Sequence, residues 1–174
     1  MSKNIILLTG FMAAGKTTAG RAVADAMGLT FIDLDQKIEE VAGATINSIF
    51  ASLGEAGFRQ LESRLFAGMC EAQKTLTVIA AGGGLPMQPE NYRGMQNCHV
   101  IFLDTPWEII AERLSKSPCN RPLLNGSDHG SARILWQKRH PMYLKLADFV
   151  IKEGDQLSEL IRQIITGATN DETE

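Results

Sequence analysis

A three-layer α/β/α domain on a five-stranded parallel sheet is the architecture that three observations predict. Short apolar runs alternate with longer helical patterns along the 174 residues. The runs are rich in Ile, Val, Leu and Phe without polar alternation, as strands covered on both faces are. Strand and helix in regular succession imply right-handed crossovers between parallel neighbours. Strands are expected at 4–9, 30–33, 75–80, 99–103 and 149–151, and helices near 16–27, 36–42, 55–73, 107–114 and 133–146. A chain of this length builds one core, so 1–174 reads as one domain without repeats. The segment 115–130, "SKSPCNRPLLNGSDHG", fits neither pattern. Its prolines, glycines and small polar residues mark a long surface loop, of the kind that serves as a lid. The terminal "ATNDETE", 168–174, is polar and acidic and is expected to fray.

Composition narrows the class. A hydrophobic fraction of 44% is that of a globular protein. The net charge of -3 and pI near 5.7 provide no basic field for nucleic acid. Cys70, Cys98 and Cys119 are odd in number and form no CxxC pair, which argues against a disulfide framework or zinc site and for a reducing cytoplasm. The first apolar run is cut short at Gly10, unlike a signal peptide, and no run reaches the ~18 apolar residues of a membrane span. A soluble cytoplasmic protein with no membrane partner is expected.

The chemistry begins at "LLTGFMAAGKTTAG", residues 7–20. It fits G-x-x-x-x-G-K-[ST] between an apolar strand and a helix, the setting this motif requires to cradle a nucleoside triphosphate. Gly10 and Gly15 stand where the backbone must bend and bring N–H groups close to phosphate. The helix beginning near Gly15 adds its positive dipole end. Lys16 would reach the β/γ-phosphates and the Thr17 hydroxyl would ligate Mg²⁺. A plain glycine-rich turn is the competing explanation, and the flanking pattern argues against it.

The other motifs are ambiguous singly. Asp33 and Asp35 in "FIDLD" would share one side if the strand persisted. They could then organise Mg²⁺ or take a proton, or form an exposed strand-to-helix turn in which an Asp caps the next helix. Asp104, ending "VIFLD", competes as a metal carboxylate but reads better as a turn residue before a helix. Arg59 and Glu62 in "GFRQLE" are three apart on one helix, where they could interact, but the spacing by itself favours a solvated helix face. Gly82, Gly83 and Gly84 would let a ligand approach backbone N–H groups, or form a flexible turn. Arg121 lies in the lid segment, where an arginine could stabilise a moving phosphoryl group. Arg139 and Tyr143 in "KRHPMY" are four apart, with Pro141 expected to kink or interrupt their helix. Arg113 could stack on adenine or be an ordinary polar helix residue. Met12 reads as loop packing, and His99, His129 and His140 have no metal-ligand spacing.

In order, these motifs are GxxxxGKT, DxD, GFRxxE, GGG, RP in a lid and RxxxY. The ordered set closely resembles shikimate kinase, a small member of the P-loop nucleoside monophosphate kinase-like group, over nearly the whole chain. The resemblance implies sheet order 2-3-1-4-5, a mobile lid, a monomer, and transfer of the ATP γ-phosphoryl group to the 3-hydroxyl of shikimate in aromatic amino-acid biosynthesis. It further implies that Gly10, Ala13, Ala14, Gly15, Lys16, Thr17 and Thr18 hold ATP, with Arg113 against adenine and Arg121 reaching the phosphates. Thr17 would bind Mg²⁺ directly and Asp33 through water. Asp35 would bind the shikimate hydroxyls and is the candidate base. Arg59 and Arg139 would clamp the carboxylate, Glu62 would orient Arg59, and Gly83, between Gly82 and Gly84, would offer its N–H. One departure is Ala13, where many members have glycine; alanine is expected there only with a negative φ. A gluconate kinase-like enzyme is the alternative acceptor reading. A nucleotide-dependent switch is weakened by the absence of an NKxD guanine signature.

Overall fold

Ile5, Ile6, Leu7 and Leu8 are all buried because their strand lies at the centre of the sheet, with side chains alternating between two covered faces. The computed structural model describes residues 3–116 and 129–170. In it, β1 (Ile5–Thr9), β2 (Thr30–Asp33), β3 (Thr77–Ala80), β4 (His99–Asp104) and β5 (Phe149–Lys152) form one parallel sheet in the order β2-β3-β1-β4-β5.

The helices are α1 (Lys16–Met27), α2 (Leu34–Ala42), α3 (Ile46–Ala72), α4 (Tyr92–Gln96), α5 (Trp107–Lys116), α6 (His129–Leu146) and α7 (Leu157–Asn170). Ile5, Leu7 and Ile79 pack on one face against Leu34 and Ile38 of α2 and Phe58, Phe66 and Met69 of α3. Ile6, Leu8, Val78 and Ile101 pack on the other against Val23 and Ala24 of α1 and Leu157, Ile161 and Ile164 of α7. A third cluster joins Phe11 and Met12 to Phe102, Ile110 and Tyr143, anchoring α5 and α6 beside the carboxyl end of β4. No helix among the described residues is long and apolar enough to cross a membrane.

Four features depart from the sequence-based expectation. The helix expected from residue 55 starts at Ile46, capped by the Thr45 hydroxyl on the Ser48 N–H and by Glu39 Oε1 on the Ile46 N–H at 2.8 Å. It breaks at Gly54, whose φ of 67° is left-handed. The backbone from Leu85 to Gln96, assigned to no element in advance, forms two 3₁₀ turns and α4. The helix α7 was also not anticipated; its buried Leu157, Ile161 and Ile164 follow helical spacing. Of the tail expected to fray, residues 168–170 continue α7, and 171–174 lie outside the described residues. Finally, α6 is continuous through Pro141. Proline forfeits one helical hydrogen bond, but tertiary contacts of His140 and Tyr143 hold the helix on both sides of it. The proposed lid falls largely on 117–128, also outside the described residues.

Candidate active site

The carboxyl ends of the strands carry the site, as expected for an open parallel sheet. The loop after β1 turns through Gly10 at φ 144° and Gly15 at φ 97°, and Gly15 caps α1. A Cβ on Gly10 would stand 2.9 Å from the Leu103 carbonyl, so the loop passes too close to β4 for any side chain there. Lys16 folds back over the loop and donates to the carbonyls of Gly10 at 2.9 Å and Phe11 at 2.8 Å. A 750 Å³ cavity opens beside the loop, lined by residues 13–19 together with Arg113, Lys152 and Glu153.

Ala13 overturns one expectation. Its φ is +59°, the left-handed conformation rather than a negative φ. That geometry costs a residue with a Cβ about 1–2 kcal/mol. Arg113 opposes the cost by donating from Nη1 to the carbonyls of both Ala13 and Ala14 at 3.2 Å. The Thr105 hydroxyl adds a third bond, to Ala14, at 3.1 Å. Ala13→Gly should therefore relieve strain while loosening the unfolded chain by ~0.4–1 kcal/mol. The net expectation in urea denaturation is a change between neutral and ~1.5 kcal/mol stabilising. A clear loss of stability would show that Ala13 is not strained.

Asp33 and Asp35 are not related by strand alternation, because β2 ends at Asp33 and α2 starts at Leu34. Instead the two oxygens of Asp33 divide their work. Oδ1 accepts the Gln36 N–H at 3.2 Å as a helix cap, and Oδ2 accepts the Thr17 hydroxyl at 2.6 Å. The capping and the metal-site readings are thus compatible. A hydroxyl and a carboxylate in contact at the mouth of a phosphate loop are hard oxygen donors suited to Mg²⁺.

A second cavity, of 420 Å³, is lined by Met12, Asp35, Arg59, Glu62, Arg139 and the three glycines, with Phe50 and Phe58 among its apolar walls. Arg59 and Glu62 do not lie on a solvated face. Both are buried, and Arg59 Nη1 donates to Glu62 Oε2 at 2.6 Å, while Glu55 lies 3.5 Å from Nη2. Arg59 Nε and Glu62 Oε1 are buried without a protein partner, leaving donor and acceptor capacity at the cavity. Burial pushes the Glu62 carboxyl above the usual carboxylate range, although the Arg59 guanidinium pulls it down. The folded state therefore holds this proton more tightly than the unfolded chain. Its contribution to stability is fully present below the ordinary Glu pKa and is lost as pH rises through the raised one.

The glycine run has a steric reason. A Cβ on Gly82 would collide with Glu62 Oε1 and Asp35 Oδ1, and one on Gly84 would collide with the Arg59 guanidinium. Close approach, not special φ, demands glycine at both positions. The Gly83 carbonyl accepts from the Tyr143 hydroxyl at 2.5 Å and from Arg139 Nη1 at 3.3 Å. Burial pushes the Tyr143 hydroxyl up to about 12, so it remains a donor at neutral pH. The nearest atoms a Gly84 Cβ would meet all belong to the Arg59 guanidinium, so Gly84→Ala should displace that group. The expected result is a loss of acceptor binding of ~10-fold or more, the equivalent of one charge-assisted hydrogen bond, with a lowered Tm because the buried Arg59–Glu62 pair is disturbed. A normal acceptor KM would show that Arg59 does not contact the acceptor.

Asp104, whose sequence context favours a structural role, is paired with His140 at 2.8 Å. His140 is the residue that sequence reasoning missed; 36 positions separate it from Asp104, and no local pattern marks the pair. Arg113, although its side chain is part exposed, bonds the phosphate loop and lies 3.6 Å from Glu153, and Arg121 lies outside the described residues.

Comparison with known proteins agrees with this geometry. A family model for shikimate kinase matches residues 12–169. The chain belongs to the shikimate kinase family. A shikimate kinase of a Nostoc species is 42% identical over 165 residues, covering 92% of this chain and 90% of its own. The shikimate kinase from Acinetobacter baumannii, solved in complex with shikimate, is 34% identical with a TM-score of 0.80, covering 98% of this chain and 96% of that one. The shikimate kinase from Aquifex aeolicus is 31% identical with a TM-score of 0.75, covering 97% and 98%. Shikimate kinases use ATP with Mg²⁺, and the phosphate loop with its Thr17–Asp33 pair provides donors for both.

Proposed function

We infer that the chain transfers the γ-phosphoryl group of ATP to the 3-hydroxyl of shikimate, giving shikimate 3-phosphate and ADP in aromatic amino-acid biosynthesis. The carrying observation is the 420 Å³ cavity, which joins two buried arginines to the phosphate loop across Met12. Two guanidinium groups in one small cavity suit a planar carboxylate held by paired hydrogen bonds. Asp35 and Glu62 on the same walls suit hydroxyls.

In this reading the amides of residues 10–18 and the Lys16 ammonium hold the ATP phosphates, and Arg113 borders the base. Thr17 holds Mg²⁺ directly and Asp33 through water; the ion, when bound, neutralises charge on the phosphates. Arg59, steadied by Glu62, and Arg139 orient shikimate by its carboxylate, while the Gly83 N–H and Asp35 fix its hydroxyls. Asp35 stands as proton acceptor for the attacking hydroxyl, and Arg121 completes the charge around the phosphates from the lid. The enzyme is proposed to act as a monomer in the cytoplasm, with no nucleic-acid or membrane partner.

Measuring ADP release in parallel with shikimate and gluconate tests the assignment. Turnover with shikimate and not with gluconate is the expected result. The reverse pattern would overturn the acceptor, and ADP release with neither would overturn the kinase reading.

A further inference from the structure

The last residue of β4, Asp104, and the next one, Thr105, bond different parts of the molecule. The buried Thr105 donates its hydroxyl to the Ala14 carbonyl of the phosphate loop at 3.1 Å. Asp104 Oδ1 meets His140 Nε2 on α6 at 2.8 Å. His140 adjoins Arg139 in sequence, and its ring is fixed edge-on to Phe102 at 5.5 Å and tilted against Trp136 at 5.3 Å. One turn on, Tyr143 stacks on the same Phe102 at 5.2 Å and, with Arg139, binds the Gly83 carbonyl. A continuous chain of bonded groups thus runs from the phosphate loop to the helix that carries the acceptor arginine. Its central contact, Asp104–His140, is only partly buried, with side-chain exposures of 21% and 26%. An apolar contact would fill that space as well, so packing alone does not call for the pair.

We propose that His140, held by Asp104, is a positioning residue that couples occupancy of the nucleotide loop to the seating of Arg139 on the acceptor. The inference rests on the clamp role assigned to Arg139 above. Coupling of this kind is a ratio, the factor by which one ligand changes the affinity of the other, and it is reciprocal. A residue that merely supports the fold would alter both affinities or neither, and leave the ratio alone.

Shikimate Kd is to be measured by calorimetry with and without saturating Mg–ADP, in the wild type and in four variants. In the wild type, ADP should tighten shikimate by about 5-fold or more, the lower end of ordinary allosteric coupling. His140→Ala should bring that factor close to 1 while shikimate affinity without nucleotide stays near wild type. His140→Gln, whose amide N–H can still donate to Asp104, should restore much of it. Thr105→Val cuts the other end of the chain without touching α6 and should also lower the factor, so the test survives a His140 variant that folds poorly. An unchanged factor in both His140→Ala and Thr105→Val, or no coupling in the wild type, overturns the proposal. Arg139→Lys separates the two failures. If it leaves shikimate affinity intact, the clamp reading is wrong; if it weakens binding while the coupling ignores His140, only the link is wrong.

Discussion

Lys16→Met should lower kcat by ~10²–10³-fold or more, the loss seen when one preorganised group facing transition-state charge is removed. Phosphoryl transfer spreads negative charge over the oxygens of the moving group, and catalysis consists largely of positioning and charge stabilisation. Methionine keeps most of the length of the lysine side chain and removes the charge. The structure adds a second consequence. Lys16 also bonds the carbonyls of Gly10 and Phe11, so the variant leaves these without that donor and loosens the loop that binds phosphate. If the loop holds the ATP phosphates as proposed, ATP affinity should therefore fall together with kcat. The sheet should be untouched, because β1 is buried by apolar contacts that do not involve Lys16. Steady-state kinetics, nucleotide titration and thermal melting on one preparation decide the matter. Turnover near the wild-type value would remove the kinase assignment, and a collapsed Tm would reassign Lys16 to structure.

The second large effect is expected at Arg139. Arg59 and Arg139 are eighty positions apart yet line one cavity, and both are buried. Lysine at 139 preserves the charge and loses the planar, two-pronged donor. A charge-assisted hydrogen bond contributes about 1.5–3 kcal/mol. At 1.4 kcal/mol per decade, Arg139→Lys should raise shikimate KM on the order of 10- to 150-fold. Nucleotide Kd without shikimate should hardly move, since Arg139 bonds Gly83 and lines the second cavity, not the one beside the phosphate loop. A shikimate analogue with its carboxylate reduced to an alcohol provides the control. It should bind wild type poorly and lose much less on the substitution, because the contact is already missing. Equal losses for acid and alcohol would show that Arg139 does not read the carboxylate.

The phosphate loop was legible because its requirements are local. Gly10 and Gly15, Lys16 and Thr17 act within one strand–turn–helix, and the positive φ at the two glycines follows from the residues themselves. The alternation of apolar runs and amphipathic helices likewise determined the three-layer class, since each strand had to be covered on both faces. Local rules failed where a tertiary contact outweighed them. Ala13 adopts a left-handed φ because Arg113, one hundred positions away, holds its carbonyl. Pro141 lies inside a continuous helix because contacts to Asp104 and Gly83 flank it.

Apolar periodicity and the order of the motifs were enough for the fold class and the family. What the ambiguous charges do depends on how the folded chain surrounds them. Arg59 and Glu62 have the spacing of a solvent-facing pair, and the close approach of Gly82 and Gly84 makes them instead a buried ion pair on the wall of a cavity. His140 carries no signal in the chain, and its partner is supplied by the end of a strand 36 residues earlier. The physical reason is the same in both cases. Hydrogen-bond partners and desolvation depend on which surfaces the sheet brings together, and one-dimensional spacing records neither.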